Sequence, residues 1–262
     1  MKPVSIIRGY GPVILGQPHG GTFLPERIRS SLNEEGKLLA DTDWHVHKLY
    51  EELLDSATIV RANFHRYLID ANRAPCGESL YANQNTTGLI PQVSFDNIPI
   101  WTNVPSDEDL KERLTYHTAY HAAIKTELHR LKETFRTVVL YDCHSIRSKI
   151  PFLFEDRLPD INIGTNNGTT CGKTLIRSLA DLCVQTREYS FVVDGRFRGG
   201  WTTRNYGRPW DGIHSVQIEL AQCTYLSAEE PPFSYSEEKA ATLRPLLKSF
   251  LSESEKFALD RA

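Results

Sequence analysis

Short runs rich in β-branched and aromatic residues alternate along this chain with stretches of helical period. That alternation restricts it to layered α/β architectures more firmly than any other feature. The strand-like runs are residues 12–17, 58–62, 67–70, 137–142, 189–194 and 214–221, and helical patterns occupy 42–56, 107–135, 169–183 and 236–252. The clearest is 107–135, where positions 110, 114, 117, 121, 124, 128, 131 and 135 step by four and three and six of the eight are Leu, Ile or Phe. Such a stripe is the face a helix turns toward a core. The other two positions are His117 and His121. Neither an internal repeat nor a low-complexity linker divides the chain, so residues 1–262 read as a single domain, long enough to bury a core without staples.

Charge and hydropathy exclude several classes. Thirty basic residues against 33 acidic ones leave a net charge of -3, which gives no electrostatic reason to expect nucleic-acid binding. Aliphatic runs such as Val13-Ile14-Leu15 fall far short of the roughly 20 residues a membrane-spanning helix needs, and Arg8 interrupts any N-terminal signal core. With that signal core interrupted the chain reads as cytosolic, and the five cysteines (Cys76, Cys143, Cys171, Cys183 and Cys223), odd in number, widely spaced and without a C-x-x-C pair, argue against a disulfide framework or a cysteine-rich zinc site. Arginine stands out: it supplies 19 of the 30 basic residues, and Arg187, Arg196, Arg198, Arg204 and Arg208 cluster with no Lys among them. Because a guanidinium pairs with planar carboxylates in two-pronged fashion, the expected partner is a small acidic molecule.

Three polar groups stand at or near the ends of strand-like runs, where open α/β sheets hold ligands. Gln17-Pro18-His19-Gly20-Gly21 follows the first run; its glycines allow a tight turn, and a His there suits metal binding or proton transfer. In Asp142-Cys143-His144-Ser145, alternation puts Asp142 and His144 on one side of an extended chain, either facing a shared centre or bonded to each other. Glu219 lies in the apolar run Val216-Gln217-Ile218-Glu219-Leu220, with Gln217 on its own face. A carboxyl buried there must be paired, protonated or beside a cation, the setting of a general base with a raised pKa; at a sheet edge it would simply face water. His117 and His121 have the spacing of a helical zinc pair, but Thr118 stands where a metalloprotease needs its Glu, so they read as core histidines, with His121 as a pocket-lining alternative. Asp41 or Asp43 can cap the following helix, and the carboxylate left over is a candidate metal ligand. The long loop 71–105 and the glycine- and arginine-rich stretch 195–212 are candidate walls of a site.

The blocks PHGGTFLP (18–25), ADTDWHVHKLYE (40–51), HRYLIDANRAP (65–75), LYANQNTTGLIP (80–91), YDCHSIRSKIP (141–151), LPDINIGTNNGTTC (158–171), GRFRGGWTTRNYGRP (195–209) and HSVQIELAQCTY (214–225) resemble, in this order, the N-formylglutamate amidohydrolases. The resemblance implies an α/β fold with a mixed central sheet flanked by helices, of the zinc carboxypeptidase/phosphorylase-hydrolase type and related to aspartoacylase-like enzymes. It further implies a site built in the order His19, an acidic ligand, Arg66, Asn72-Arg73, His144 and Glu219. The relatives carry the acid three residues after the first His, where this chain has Thr22; the role moves to Asp43, with Asp41 and Asp142 as rivals.

Two imidazoles and one carboxylate leave a zinc ion, or another divalent transition metal, one open position. The implied reaction is hydrolysis of N-formyl-L-glutamate to glutamate and formate, a step of histidine breakdown, with Glu219 as the base. Such a dicarboxylate substrate calls for two cationic clamps and little acyl room. Asn72-Arg73 suits the α-carboxylate, Arg147, Arg204 and Tyr206 are candidates for the γ-carboxylate, and Arg66 stands near the carbonyl or a carboxylate. The rival readings are a deacylase of another N-acyl acidic amino acid and a non-catalytic dicarboxylate-binding protein; neither nucleic acid nor membrane enters, and no pattern assigns an oligomeric state.

Overall fold

The computed structural model describes residues 1–78 and 84–260, so the first four positions of the block 80–91 lie outside the described residues. Seven strands form one mixed sheet: β1 (Val4–Ile7), β2 (Val13–Gln17), β3 (Thr58–Ala62), β4 (Val138–Ile146), β5 (Ile161–Gly164), β6 (Phe191–Val193) and β7 (Ile213–Ala221). Their order is β1-β3-β2-β4-β7-β5-β6. The central strands β3, β2, β4 and β7 run parallel, while β1 pairs antiparallel with β3 and β5 antiparallel with β7. The helices are α1 (Glu26–Ser30), α2 (Glu34–Lys37), α3 (Val46–Tyr50), α4 (Asp107–Lys132), α5 (Lys173–Thr186), α6 (Trp201–Tyr206) and α7 (Glu237–Leu259).

Alternation along the buried strands sorts their side chains into two cores. Val13 and Leu15 of β2, Val139, Tyr141 and Cys143 of β4, and Val216, Ile218 and Leu220 of β7 pack against α5 and α7. Ile14, Val60, Val138 and Leu140 face the other way and meet Tyr120 together with Ile124, Leu128 and Leu131 of the apolar stripe of α4. A fully buried Leu or Ile contributes about 1.5–3 kcal/mol, so these layers fix the sheet between its helices. By the same period, Asp142 and His144 of β4 and Gln217 and Glu219 of β7 emerge on the α4 side, beyond the last apolar pair. Their backbones are in register, Asp142 beside Gln217 and His144 beside Glu219.

Several elements differ from the sequence expectation. Residues 67–70 form a turn, not a strand: Tyr67, Leu68 and Ile69 are buried, but Arg113 of α4 donates to the carbonyls of Tyr67 and Leu68, taking acceptors that a neighbouring strand would use. The helix expected over 42–56 shrinks to α3, bounded by His45 and Glu52 at φ values of 58° and 59°. Helix α5 begins only at Lys173, because Thr170 is tied to Ser215 of β7 through Thr170 Oγ1 to Ser215 O and Ser215 N to Thr170 O. The short strands β1 and β5 and the one-turn helix α6 carry too few residues for their period to register. Among the described residues, no helix is long and apolar enough to cross a membrane.

Candidate active site

The C-terminal ends of β2, β4 and β7 open into a cavity whose floor includes His19, Asp43, His144, Gln217 and Glu219. His19 arrives on the turn after β2. Gly21 lets that turn press against the end of β3, since a Cβ there would lie 2.4 Å from the Asn63 carbonyl carbon. Asp43 N donates to His19 O (3.1 Å), and Ser145 N donates to Asp43 Oδ2 (3.1 Å), which ties the acid to both histidine-bearing segments.

His19, Asp43 and His144 are each 2% exposed and offer ligand atoms within 4.8 Å of one another. His19 Nε2 is bonded to Asp70 Oδ1 (2.7 Å), so its Nδ1 turns toward Asp43 Oδ2, 3.9 Å away. His144 Nε2 is 3.2 Å from both Asp142 Oδ1 and Asn72 Nδ2, while Nδ1 stands 3.3 Å from Asp43 Oδ2. Each ring is thus held at one nitrogen and presents the other to a common centre, with a carboxylate behind it, the arrangement by which metal-binding imidazoles are oriented. Burial opposes charge on His144, yet Asp142 and Asp43 outweigh it and hold its imidazole well above the ordinary value. Burial likewise opposes the Asp43 carboxylate, and His144, His19 and Arg66 nonetheless keep its pKa lowered. Burial and the Arg66 charge lower the His19 pKa, and two imidazoles plus a carboxylate form a donor set suited to an open divalent site.

Glu219 sits beside this group and accepts from Gln217 Nε2 at 3.0 Å, while Gln217 Oε1 accepts from Gly200 N. Burial pushes its carboxyl up to about 7, with His144 pulling the other way. Arg66 lies 3.3 Å from His19 Nε2, pairs with Asp70 Oδ2 at 2.9 Å and has its ring-facing side over Phe95. The buried Arg66 Nε has no hydrogen-bond partner among the described residues.

The chain matches the N-formylglutamate amidohydrolase family over residues 11–226. It belongs to that family. It is 43% identical over 261 residues to the N-formylglutamate deformylase of Pseudomonas aeruginosa, covering 95% of this chain and 96% of that protein. It is 42% identical over 254 residues to the enzyme of the same name from Pseudomonas putida, covering 95% and 94%. The crystal structure of an N-formylglutamate amidohydrolase from Ralstonia eutropha shares the fold, with a TM-score of 0.84 at 22% identity over the whole of both chains.

In this family member the sequence candidates divide. His19, Asp43, Arg66, Asn72, Arg73, His144 and Glu219 all line the one cavity. Asp41 and Asp142, the alternative ligands, do not: Asp41 accepts from Tyr67 Oη and from Phe95 N, and Asp142 stands behind His144, accepting from Thr203 Oγ1. Arg147, Arg204 and Tyr206 also fall outside the lining, against expectation. Arg147 is drawn to Asp96 (2.6 Å), Arg204 Nε donates to Gly199 O, and Tyr206 Oη is bonded to His121 Nδ1. His117 and His121 donate from Nε2 to the carbonyls of Arg73 and Ala71, so the pair braces the Asn72–Arg73 segment from beneath.

Two charged residues, one lining the cavity and one behind it, were given no individual role from sequence. Arg196 lines the cavity, held by bonds to Leu153 O, Gln84 Oε1 and Asn85 O; the arginine cluster signalled its stretch but not its side chain. Asp70 is the other, and its placement in Asp-Ala-Asn-Arg, four residues after Arg66, was the available signal. Burial works against its charge, but Arg73, Arg66 and His19 hold its carboxyl well below the usual range. Asp70→Asn is expected to weaken metal affinity by about 10–100-fold, read by titration against a chromogenic chelator, because the carboxylate that orients the His19 ring and raises its basicity becomes a neutral, weaker amide acceptor. Unchanged affinity would deny Asp70 that role.

Proposed function

We propose that this protein hydrolyses N-formyl-L-glutamate to L-glutamate and formate as a metal-dependent deformylase, with zinc at His19, Asp43 and His144, within cytosolic histidine breakdown. The observation that carries this reading is the convergence of two imidazoles, an aspartate and a raised-pKa glutamate in one cavity lined by three arginines, Arg66, Arg73 and Arg196. The close relatives named N-formylglutamate deformylase support the choice of substrate. The five free cysteines are in keeping with a reducing compartment.

When bound, the ion supplies Lewis acidity to the formyl carbonyl and acidifies water at the open position. Glu219 accepts a proton from the attacking water and hands it to the departing amine, a role suited to a buried carboxyl that burial raises to about 7 and a bound cation draws back down. Arg66, lodged beside His19 and Asp43, stabilises negative charge developing on the carbonyl oxygen. Asn72 and Arg73 hold the α-carboxylate. The Arg73 guanidinium is oriented beforehand by Thr87 O, Asn72 O and the Thr86 and Thr87 hydroxyls, so little side-chain entropy is lost on binding. Arg196, on the stretch after β6, is the candidate for the γ-carboxylate.

Formate release from N-formylglutamate by the purified protein, measured with and without a chelator, tests the reading. Turnover that disappears on complete metal removal and returns with zinc is the expected result. Activity persisting without metal would overturn the metal role, and turnover of N-acetyl or N-succinyl amides with none of the formyl substrate would overturn the substrate.

A further inference from the structure

The cavity has two chemically different walls. Asn72, Arg73, Asn85, Thr86 and Thr87 make a polar one, which meets the ligand group at His144 through Asn72. Opposite in character are Phe95, Ile146, Leu153 and Phe197, which belong to a third apolar cluster apart from the two layers that sandwich the sheet. This second wall meets the ligand group at Asp43. Ile146 follows Ser145, whose N–H bonds Asp43, and the Phe95 ring lies 4.8 Å from the guanidinium carbon of Arg66, which itself reaches to 3.9 Å from Asp43.

Phe95 sits on a hydrogen-bonded segment of that wall. It rides on a turn closed by Ser94 N to Ile98 O (2.8 Å) and Asn97 N to Ser94 O (2.9 Å). Its own N–H is held by both oxygens of Asp41 (3.0 and 3.2 Å), and the next residue, Asp96, is bonded to Arg147. Arg147 and Asp41, which sequence put forward as a substrate clamp and a rival metal ligand, therefore converge on holding the backbone segment that carries this ring. These bonds fix the backbone that carries Phe95, and its ring, 6% exposed, packs within the apolar cluster and over Arg66, so making room for a larger ligand means displacing packed neighbours.

We infer that Phe95 sets the acyl specificity of the enzyme, walling off the space beside the scissile carbonyl so that only a hydrogen fits on its carbon. The inference rests on the reading under Proposed function and follows from matching polarity. A trigonal amide carbon has three substituents. Its oxygen is turned toward Arg66 and the His19–Asp43–His144 group, and its nitrogen leads to a glutamate whose two carboxylates require the polar and cationic residues. The acyl substituent, with no hydrogen-bonding capacity, is left to the apolar wall that abuts Asp43.

The test compares kcat/KM for N-formyl-, N-acetyl- and N-propionyl-L-glutamate in the zinc-loaded wild type, Phe95→Leu and Phe95→Ala. Loss of the ring also loosens its contact with Arg66, but that disturbance lowers all three substrates together and cancels in the acyl-to-formyl ratio. The ratio is expected to rise about 10-fold or more for acetyl in Phe95→Ala, less in Phe95→Leu, as a pocket enlarged by a methylene or more discriminates on that scale. A ratio unchanged within about twofold in both variants would overturn the assignment; should Phe95→Ala fail to fold, Phe95→Leu decides alone. A wild type that releases no formate from the formyl substrate would instead defeat the reading on which the assignment rests, a result distinct from an unmoved ratio.

Discussion

Glu219→Gln is expected to keep its bound metal and lose turnover by about 10²–10⁴-fold, a barrier increase of about 3–5 kcal/mol. The substitution preserves shape: the amide oxygen still accepts from Gln217 Nε2, and the neighbouring strands are untouched. Only the capacity to take a proton is removed. The same group governs the pH profile. Glu219 acts as a base only when ionised; burial sets its carboxyl near 7, and a bound cation draws it lower, so kcat/KM should climb with pH to an inflection at or below about 7 and stay level above it. The stability consequence has the opposite sense. A carboxyl whose folded pKa exceeds its unfolded value costs stability when ionised, a cost that grows as pH rises from the ordinary carboxylate range and is complete above about 7. The metal-free Gln variant should consequently melt no lower than the metal-free wild type at roughly pH 8, a check that separates lost chemistry from lost structure. Full activity in the variant would exclude Glu219 as the base.

His19→Ala should fail differently, losing both metal and turnover. With one of three ligands gone, only Asp43 and His144 remain for the ion, and Asp70, already paired with Arg66, loses its imidazole partner. Since a catalytic ion supplies several kcal/mol of charge stabilisation, activity should fall about a thousandfold or more. Elemental analysis after dialysis reads the metal directly. The contrast is the informative part: Glu219→Gln metal-replete and inactive, His19→Ala metal-free and inactive. If His19→Ala retained stoichiometric metal, the ligand set would have to be drawn elsewhere.

Much of the site was legible before the fold was known, for reasons visible in particular residues. His19 and His144 stand at the ends of apolar runs where a polar imidazole has no packing role, and Glu219 is a carboxylate inside a strand that alternation otherwise makes buried. The arginines were harder. Arg66, Arg73, Arg147, Arg196 and Arg204 are equivalent by composition, yet Arg147 is drawn off by Asp96 and Arg204 by the carbonyl of Gly199, whereas Arg66, Arg73 and Arg196 reach the cavity. A long side chain goes wherever its nearest acceptor stands, and acceptors distant in sequence carry no local signal. The expected strand over 67–70 failed on the same ground, because its backbone acceptors are claimed by Arg113, some 45 residues downstream.

By itself the sequence determined the α/β layering, the strands β2, β3, β4 and β7, the long helix α4, and the identity of the residues able to bind a metal or move a proton. These are local quantities, fixed by period and by the chemistry of single side chains. The tertiary structure decided which carboxylate joins the two histidines, since Asp41, Asp43 and Asp142 differ only in where the packed sheet points them. It alone brought Asp70 behind His19, and turned Arg147 and Asp41 from apparent site residues into the clamp on the segment that carries Phe95. Those outcomes depend on distances between segments far apart in the chain, which are set only once the sheet and helices have closed around their cores.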